Sequence, residues 1–107
     1  MQAFENLYQT ITHRQANPQE GSYTCYLFGK GLDKILKKLG EECAETIIAA
    51  KNNNKEHVIS ELSDLAFHAA VLMAQLDITP GDIAAELDRR AQKTGNLKEM
   101  KAVDKNT

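Results

Sequence analysis

Residues Lys55 to Leu76 constrain this chain more than any other stretch. On a wheel of 100° per residue, Val58, Leu62, Leu65, Ala69, Leu72 and Leu76 form one apolar face, and Ile59, Ala66, Ala70 and Ala74 carry it well round the other side. A helix apolar on nearly all sides has to be buried, so the rest of the chain, or a second copy of it, must cover it. The remaining narrow strip holds His57, Glu61, Asp64, His68 and Gln75. An unpaired carboxylate on such a strip costs on the order of several kcal/mol unless it is protonated or meets a cation.

The partners of this helix are legible on either side. Phe4, Leu7, Tyr8 and Ile11 recur at helical spacing and predict a first helix ending near Arg14, followed by a loop at Asn17-Pro18-Gln19-Glu20-Gly21-Ser22. Residues 23–29 fit no single pattern. From Asp33, a residue suited to capping, to about Lys51 a second helix carries Ile35, Leu39, Cys43, Thr46, Ile47 and Ala50 as its inner stripe. Asn52-Asn53-Asn54 makes the turn into the buried helix. Thr79-Pro80-Gly81-Asp82 opens a fourth helix with a capping residue, a proline at the first helical position and an acid in the first turn, and that helix carries Ile83, Leu87 and Ala91. No strand signal or repeat competes, so the expectation is an all-α, four-helix domain over residues 1–95 and a flexible C-terminal tail over 96–107.

At 107 residues there is room for one domain, and a four-helix layout of this length gains burial by dimerising. The net charge of −2 argues against a general nucleic-acid binder, which would present a basic face. Neither a membrane-spanning run nor a signal-peptide pattern is present, which predicts a cytoplasmic protein. Cys25 and Cys43 lack metal-site or redox-motif spacing and read as reduced thiols.

Against that background two acidic segments stand out. Glu41-Glu42-Cys43-Ala44-Glu45 precedes Glu61-Leu62-Ser63-Asp64 on the next helix, and carboxylates three apart share a helix face. Antiparallel pairing of the two helices brings four carboxylates to one point, which like-charge repulsion forbids unless a cation sits among them. Oxygen ligands select a hard ion, magnesium first. Glu42 borders the apolar stripe with Glu45 beside it, whereas Glu41 points further out and reads equally well as a solvent-facing acid. His57 and His68 share the acidic strip, where a hydrogen-bond partner or a satisfied core residue is the more ordinary role than a metal ligand.

Lys30, Lys34, Lys37 and Lys38 lead into the acids, with Lys34 and Lys38 on the same strip as Glu41 and Glu45. Ion pairs such as Lys37 with Glu41 and Lys38 with Glu42 are the plain explanation. Lysine before glutamate is the poorer order, however, and lysines in the first turns oppose the helix dipole. An anionic partner relieves both problems. Lysines beside a carboxylate cluster suit a polyphosphate whose oxygens a divalent cation bridges.

These residues resemble the phosphoribosyl-ATP pyrophosphohydrolases of histidine biosynthesis, within the all-α MazG-like nucleoside triphosphate pyrophosphohydrolases. The shared signature is a glutamate pair and a third glutamate on one helix, then Glu-x-x-Asp on the next. The narrower likeness lies in Gly21-Ser22-Tyr23-Thr24, in Lys30-Gly31-Leu32-Asp33-Lys34-Ile35-Leu36-Lys37-Lys38-Leu39-Gly40-Glu41-Glu42, in Ile48-Ala49-Ala50-Lys51 and in Asp64-Leu65-Ala66-Phe67-His68. It covers roughly residues 4–90. Cys43 stands where alanine is usual and Phe67 where tyrosine often precedes the histidine, and neither is a ligand position.

The resemblance implies a MazG-like bundle completed by homodimerisation, in a free-standing form rather than one fused to the cyclohydrolase of the next step. It implies Mg2+ held by Glu42, Glu45, Glu61 and Asp64, with Glu41 a further catalytic member and a candidate for activating water. The substrate would be phosphoribosyl-ATP, hydrolysed to phosphoribosyl-AMP and pyrophosphate. Its phosphates would meet Lys34, Lys37 and Lys38, with Lys30 and Arg14 further out, and Ser22, Tyr23 and Thr24 would close over it as a loop. One rival is a house-cleaning pyrophosphohydrolase of the same fold acting on other nucleoside triphosphates. A di-iron bundle is a poorer match, because it needs Glu-x-x-His on two helices. A non-catalytic helical module is the third reading.

Overall fold

The computed structural model describes residues 1–93, and the tail expected over 96–107 lies outside the described residues. Among them all regular structure is helical: α1 (Gln2–Ala16), α2 (Tyr23–Lys30), α3 (Leu32–Lys51), α4 (Lys55–Gln75) and α5 (Pro80–Ala91). The all-α expectation is borne out, with five helices in place of four. The additional helix, α2, is the segment whose pattern was indecisive. Ser22 caps it by accepting from the Cys25 amide at 3.2 Å, so Tyr23 and Thr24 belong to a first helical turn rather than to the loop expected there. Eight residues with one buried side chain, Leu27, are too few to print a clear periodicity.

Gly31 makes the joint between α2 and α3. At φ 93° and ψ −174° it occupies a conformation essentially confined to glycine. Its N–H donates to the Leu27 carbonyl and its own carbonyl accepts from Ile35, so one residue ends one helix and begins the next. Gly31, not Asp33, is therefore the N-cap of α3, and Asp33 sits in the first turn, where its charge complements the helix dipole.

Helices α3 and α4 make the most extensive pairing, an antiparallel hairpin closed by Asn52–Asn54, with Asn54 capping α4 through the His57 amide. Helix α1 lies on α4, and α2 bridges α1, α3 and α4. The core is Ile11, Leu27, Ile35, Ala70, Val71 and Ala74, ringed by Phe4, Leu7, Tyr8, Phe28, Phe67 and Leu72. Helix α5 carries a full capping box between Thr79 and Asp82 and rests on α1, while the Tyr8 hydroxyl donates to the Ile78 carbonyl at 2.8 Å.

Two expected stripes are displaced. On α3 the buried positions are Ile35, Glu42 and Ala49, whereas Cys43, Ile47 and Ala50 face out and Thr46 turns its hydroxyl back to the Glu42 carbonyl at 2.7 Å. On α4 the buried residues are His68, Ala70, Val71 and Ala74, while Leu62 and Leu76 are about half exposed. Hydrophobicity marked which residues wanted cover, and it did not say which side the neighbouring helices would occupy. Likewise no residue of α5 is buried, and Ile83 and Leu87 remain exposed.

Candidate active site

The hairpin of α3 and α4 carries the acids. Glu42, Glu45 and Glu61 each offer a carboxylate oxygen within 4.8 Å of the others. Glu42 is buried, while Glu61 is half-buried and its Oε1 accepts from His57 Nε2 at 3.2 Å. Asp64, one turn along from Glu61, is exposed and stands outside this triangle, though its charge still reaches Glu42. Glu41 lies on the outer flank, paired with Lys38 at 3.0 Å.

The electrostatics follow from this placing. Burial first, and then the neighbouring Glu61 and Glu45, push the Glu42 carboxyl from 4.5 up to about 7. Glu61 moves the other way: burial would raise it, but its contacts with Glu45, Glu42 and His57 outweigh that and hold it below the ordinary value. The pair therefore shares one proton more readily than it bears two charges. Among the described residues Glu42 Oε2 and Glu61 Oε2 are both buried without a hydrogen-bond partner, which costs free energy. Two orphaned acceptors facing a third carboxylate are the donor set of a hard divalent cation such as Mg2+, and the residues present fit one.

The cations gather on the approach to the acids. The hydrogen bond from Lys38 draws the Glu41 carboxyl down, and the charges of Lys37 and Lys34 add to it. Lys38 also lies close enough for its charge to act on Tyr23 and for the charge of Glu42 to act on it. Neither of the ion pairs expected from spacing forms; Lys38 reaches three residues forward to Glu41 instead. Lys30 is exposed and lies 5.8 Å from the centre of the Tyr26 ring. Arg14 donates to Gln19 at the corner of α1 and α2, where its carbonyl accepts from the Cys25 thiol. Thr24 is half-buried in the first turn of α2, and both cysteines are free thiols.

A family model described as phosphoribosyl-ATP pyrophosphohydrolase matches residues 4–91. The chain belongs to this family. Its relatives include the phosphoribosyl-ATP pyrophosphatase of Listeria innocua, 52% identical over 99 residues that make up 92% of this chain and 95% of that protein. The phosphoribosyl-ATP pyrophosphatase of Bacillus cereus is 48% identical over 102 residues, 95% of each chain. A histidine biosynthesis bifunctional protein of Caldanaerobacter subterraneus is 50% identical over 93 residues, 87% of this chain but 45% of that one. The family resemblance carried by Gly21 to Glu42 is thus borne out over most of the chain.

One feature of this family member's site was not read from the sequence. His68 is buried on α4, with Nδ1 2.8 Å from the Asp64 carbonyl and Nε2 3.0 Å from the Tyr23 hydroxyl. A carbonyl only accepts, so Nδ1 carries the hydrogen and Nε2 offers its lone pair to the tyrosine. The Tyr23 ring stacks between Tyr26 and Phe67, each 6.0 Å away centre to centre. Burial raises the Tyr23 hydroxyl above its ordinary value, against the pull of Lys38, which keeps it a donor. The sequence signal was the polar strip that set His68 in line with Glu61 and Asp64. Its partner, forty-five residues earlier, required the fold.

Proposed function

We infer that this chain hydrolyses phosphoribosyl-ATP to phosphoribosyl-AMP and pyrophosphate, the second step of histidine biosynthesis. The observation that carries this reading is the family match over residues 4–91, with relatives named for that activity aligned along 95% of their own length. The carboxylate triangle, buried at Glu42, half-buried at Glu61 and exposed at Glu45, supports it independently, since its orphaned oxygens fit the cation such a reaction needs. Glu42, Glu45 and Glu61, with Asp64 at the open edge, would hold Mg2+. When bound, the ion supplies neutralisation of phosphate charge and a lowered pKa for a coordinated water.

The chain's own side chains supply the rest. Lys34, Lys37 and Lys38 present a cationic face to a triphosphate, and Lys30 extends it toward the Tyr26 ring. Glu41 acts as the counter-charge that orients Lys38. A carboxylate held below its ordinary range is a weak proton acceptor, so Glu41 is the poorer choice for activating water. His57 orients Glu61 from the solvent side. Ser22 serves α2 as its cap, and Arg14 stays engaged with Gln19, so both belong to the frame that carries Tyr23.

The working unit of this reading is a homodimer in the cytoplasm. Ile47, Ile48, Ile59 and Leu62, on the two helices that carry the acids, are between 48% and 65% exposed, which is costly for four large aliphatic side chains in water. No helix among the described residues is long and apolar enough to cross a membrane. Sedimentation of Ile59→Lys against the parent protein tests the dimer, with a halved mass expected for the variant.

Product analysis with phosphoribosyl-ATP and Mg2+ tests the activity. Release of one pyrophosphate and phosphoribosyl-AMP is expected, with slower release from ATP and dUTP. Equal or faster turnover of ATP or dUTP would instead establish the house-cleaning reaction of the same fold.

A further inference from the structure

The structure assigns His68 the role of a positioning residue: through Tyr23 it holds the first turn of α2 against the carboxylate-bearing helix, so that the Tyr23 ring walls the side of the site where Lys38 lies. The inference rests on the proposed activity and adds to it a residue that touches neither the cation nor the substrate. Three observations carry it. His68 is 4% exposed, and its imidazole bonds to two different elements of the fold, the Asp64 carbonyl within α4 and the Tyr23 hydroxyl on α2.

Tyr23 is 45% exposed although its hydroxyl is tied inward, so nearly half of the residue stays open to solvent while its orientation is fixed. An aromatic residue kept open in this way presents a surface rather than filling a core. The ring is braced on the remaining sides by Phe67, which meets His68 edge-on at 5.1 Å, and by Tyr26.

The coupling has a direction. His68 lies one turn beyond Asp64 and two beyond Glu61, so its ring is fixed by the same helix that sets those carboxylates. Tyr23 is close enough to Lys38 and Glu42 for their charges to act on its hydroxyl. Releasing Tyr23 therefore frees the wall beside Lys38 without disturbing a carboxylate directly. Substrate affinity should fall before the chemical step does, because correct placing of the phosphates is lost while the acids remain.

The test is a double-mutant cycle on steady-state turnover of phosphoribosyl-ATP with saturating Mg2+, joined to a Mg2+ titration followed by thermal melting. Parent turnover of phosphoribosyl-ATP is measured first, and its absence would remove the proposed function itself, separately from the positioning role of His68. Given that turnover, Tyr23→Phe and His68→Leu should each raise KM about fivefold, the change that loss of one ordinary hydrogen bond corresponds to, with a smaller change in kcat. The double variant should be no worse than His68→Leu alone. His68→Gln, whose side-chain oxygen can take the place of Nε2 as acceptor, should recover most of the lost affinity. The Mg2+-induced rise in melting temperature should persist in Tyr23→Phe.

A melting temperature lowered in both single variants with KM unchanged would show a purely structural bond and overturn the inference. Additive KM effects, or no recovery in His68→Gln when that variant is folded, would overturn it as well.

Discussion

Glu42 and Glu86 are the same residue type in the middle of a helix, and their surroundings drive them apart. Burial among other acids pushes Glu42 up to about 7, whereas hydrogen bonds from Arg89 and Arg90 hold Glu86 down at about 2. Glu86 sits on the surface of α5 with cationic partners one turn away, and its charge is satisfied where it stands. Among the described residues Glu42 has a buried oxygen with no hydrogen-bond partner, and its neighbour Glu61 is in the same condition. A satisfied surface acid steadies its own helix a little. A buried unsatisfied one costs free energy that a bound cation would recover, which is why the proposed site is placed at this end of the molecule.

The comparison breaks most readily by substitution. Glu42→Gln or Glu61→Gln should lower pyrophosphate release from phosphoribosyl-ATP by at least about a hundredfold with the circular dichroism spectrum retained, while Glu86→Gln should leave the rate within about twofold. Unchanged Mg2+-dependent turnover in both site variants would remove the ligand assignment.

Metal addition sharpens the same contrast. At a hundredfold excess over Kd, Mg2+ should stabilise the parent protein by about 2.7 kcal/mol. The rise in melting temperature should vanish in Glu42→Gln and survive whole in Glu86→Gln. Identical melting with and without Mg2+ would favour the non-catalytic helical module.

The two glutamates should also leave opposite marks on the pH dependence of metal-free stability. Glu42 binds its proton more tightly when folded, so its contribution is complete below 4.5 and is lost as pH rises through about 7. That loss should amount to about 1–3 kcal/mol, and Glu42→Gln should flatten it. Glu86 has the reverse sign, since its folded value lies below its unfolded one. Its stabilisation is present above 4.5 and is lost as pH falls through about 2, a window in which Glu61 acts in the same sense. Urea midpoints between pH 2 and pH 8 would separate the two windows.

Smaller effects belong to the quiet end of the molecule. Thr79→Ala removes the cap of α5 and should destabilise by about 1 kcal/mol, read from the urea midpoint. Glu86→Gln at neutral pH should move the melting temperature by only about a degree, and less in high salt.

How much could be read beforehand divides along the same line. The capping box of α5 was visible in Thr79-Pro80-Gly81-Asp82 because capping is local, set by residues three apart. The turn at Asn52–Asn54 and the bounds of α4 were legible for the same reason. Helix α2 was not, since one buried leucine gives no period, and the stripe of α3 was misplaced because Glu42 rather than Cys43 turned inward.

The sequence by itself determined the all-α class, the two acidic segments, the lysines ahead of them and the family, because helical period, composition and motif are properties of neighbouring residues. Tertiary structure alone decided that Glu42, Glu45 and Glu61 form the tight triangle with Asp64 outside it. It also paired Lys38 with Glu41 and brought Tyr23 to His68. Spacing fixes which face of a helix a side chain occupies, but the depth of burial and the contact across forty-five residues depend on how the helices lie against one another, and it is burial that first sets Glu42 apart from an ordinary glutamate by favouring its neutral form.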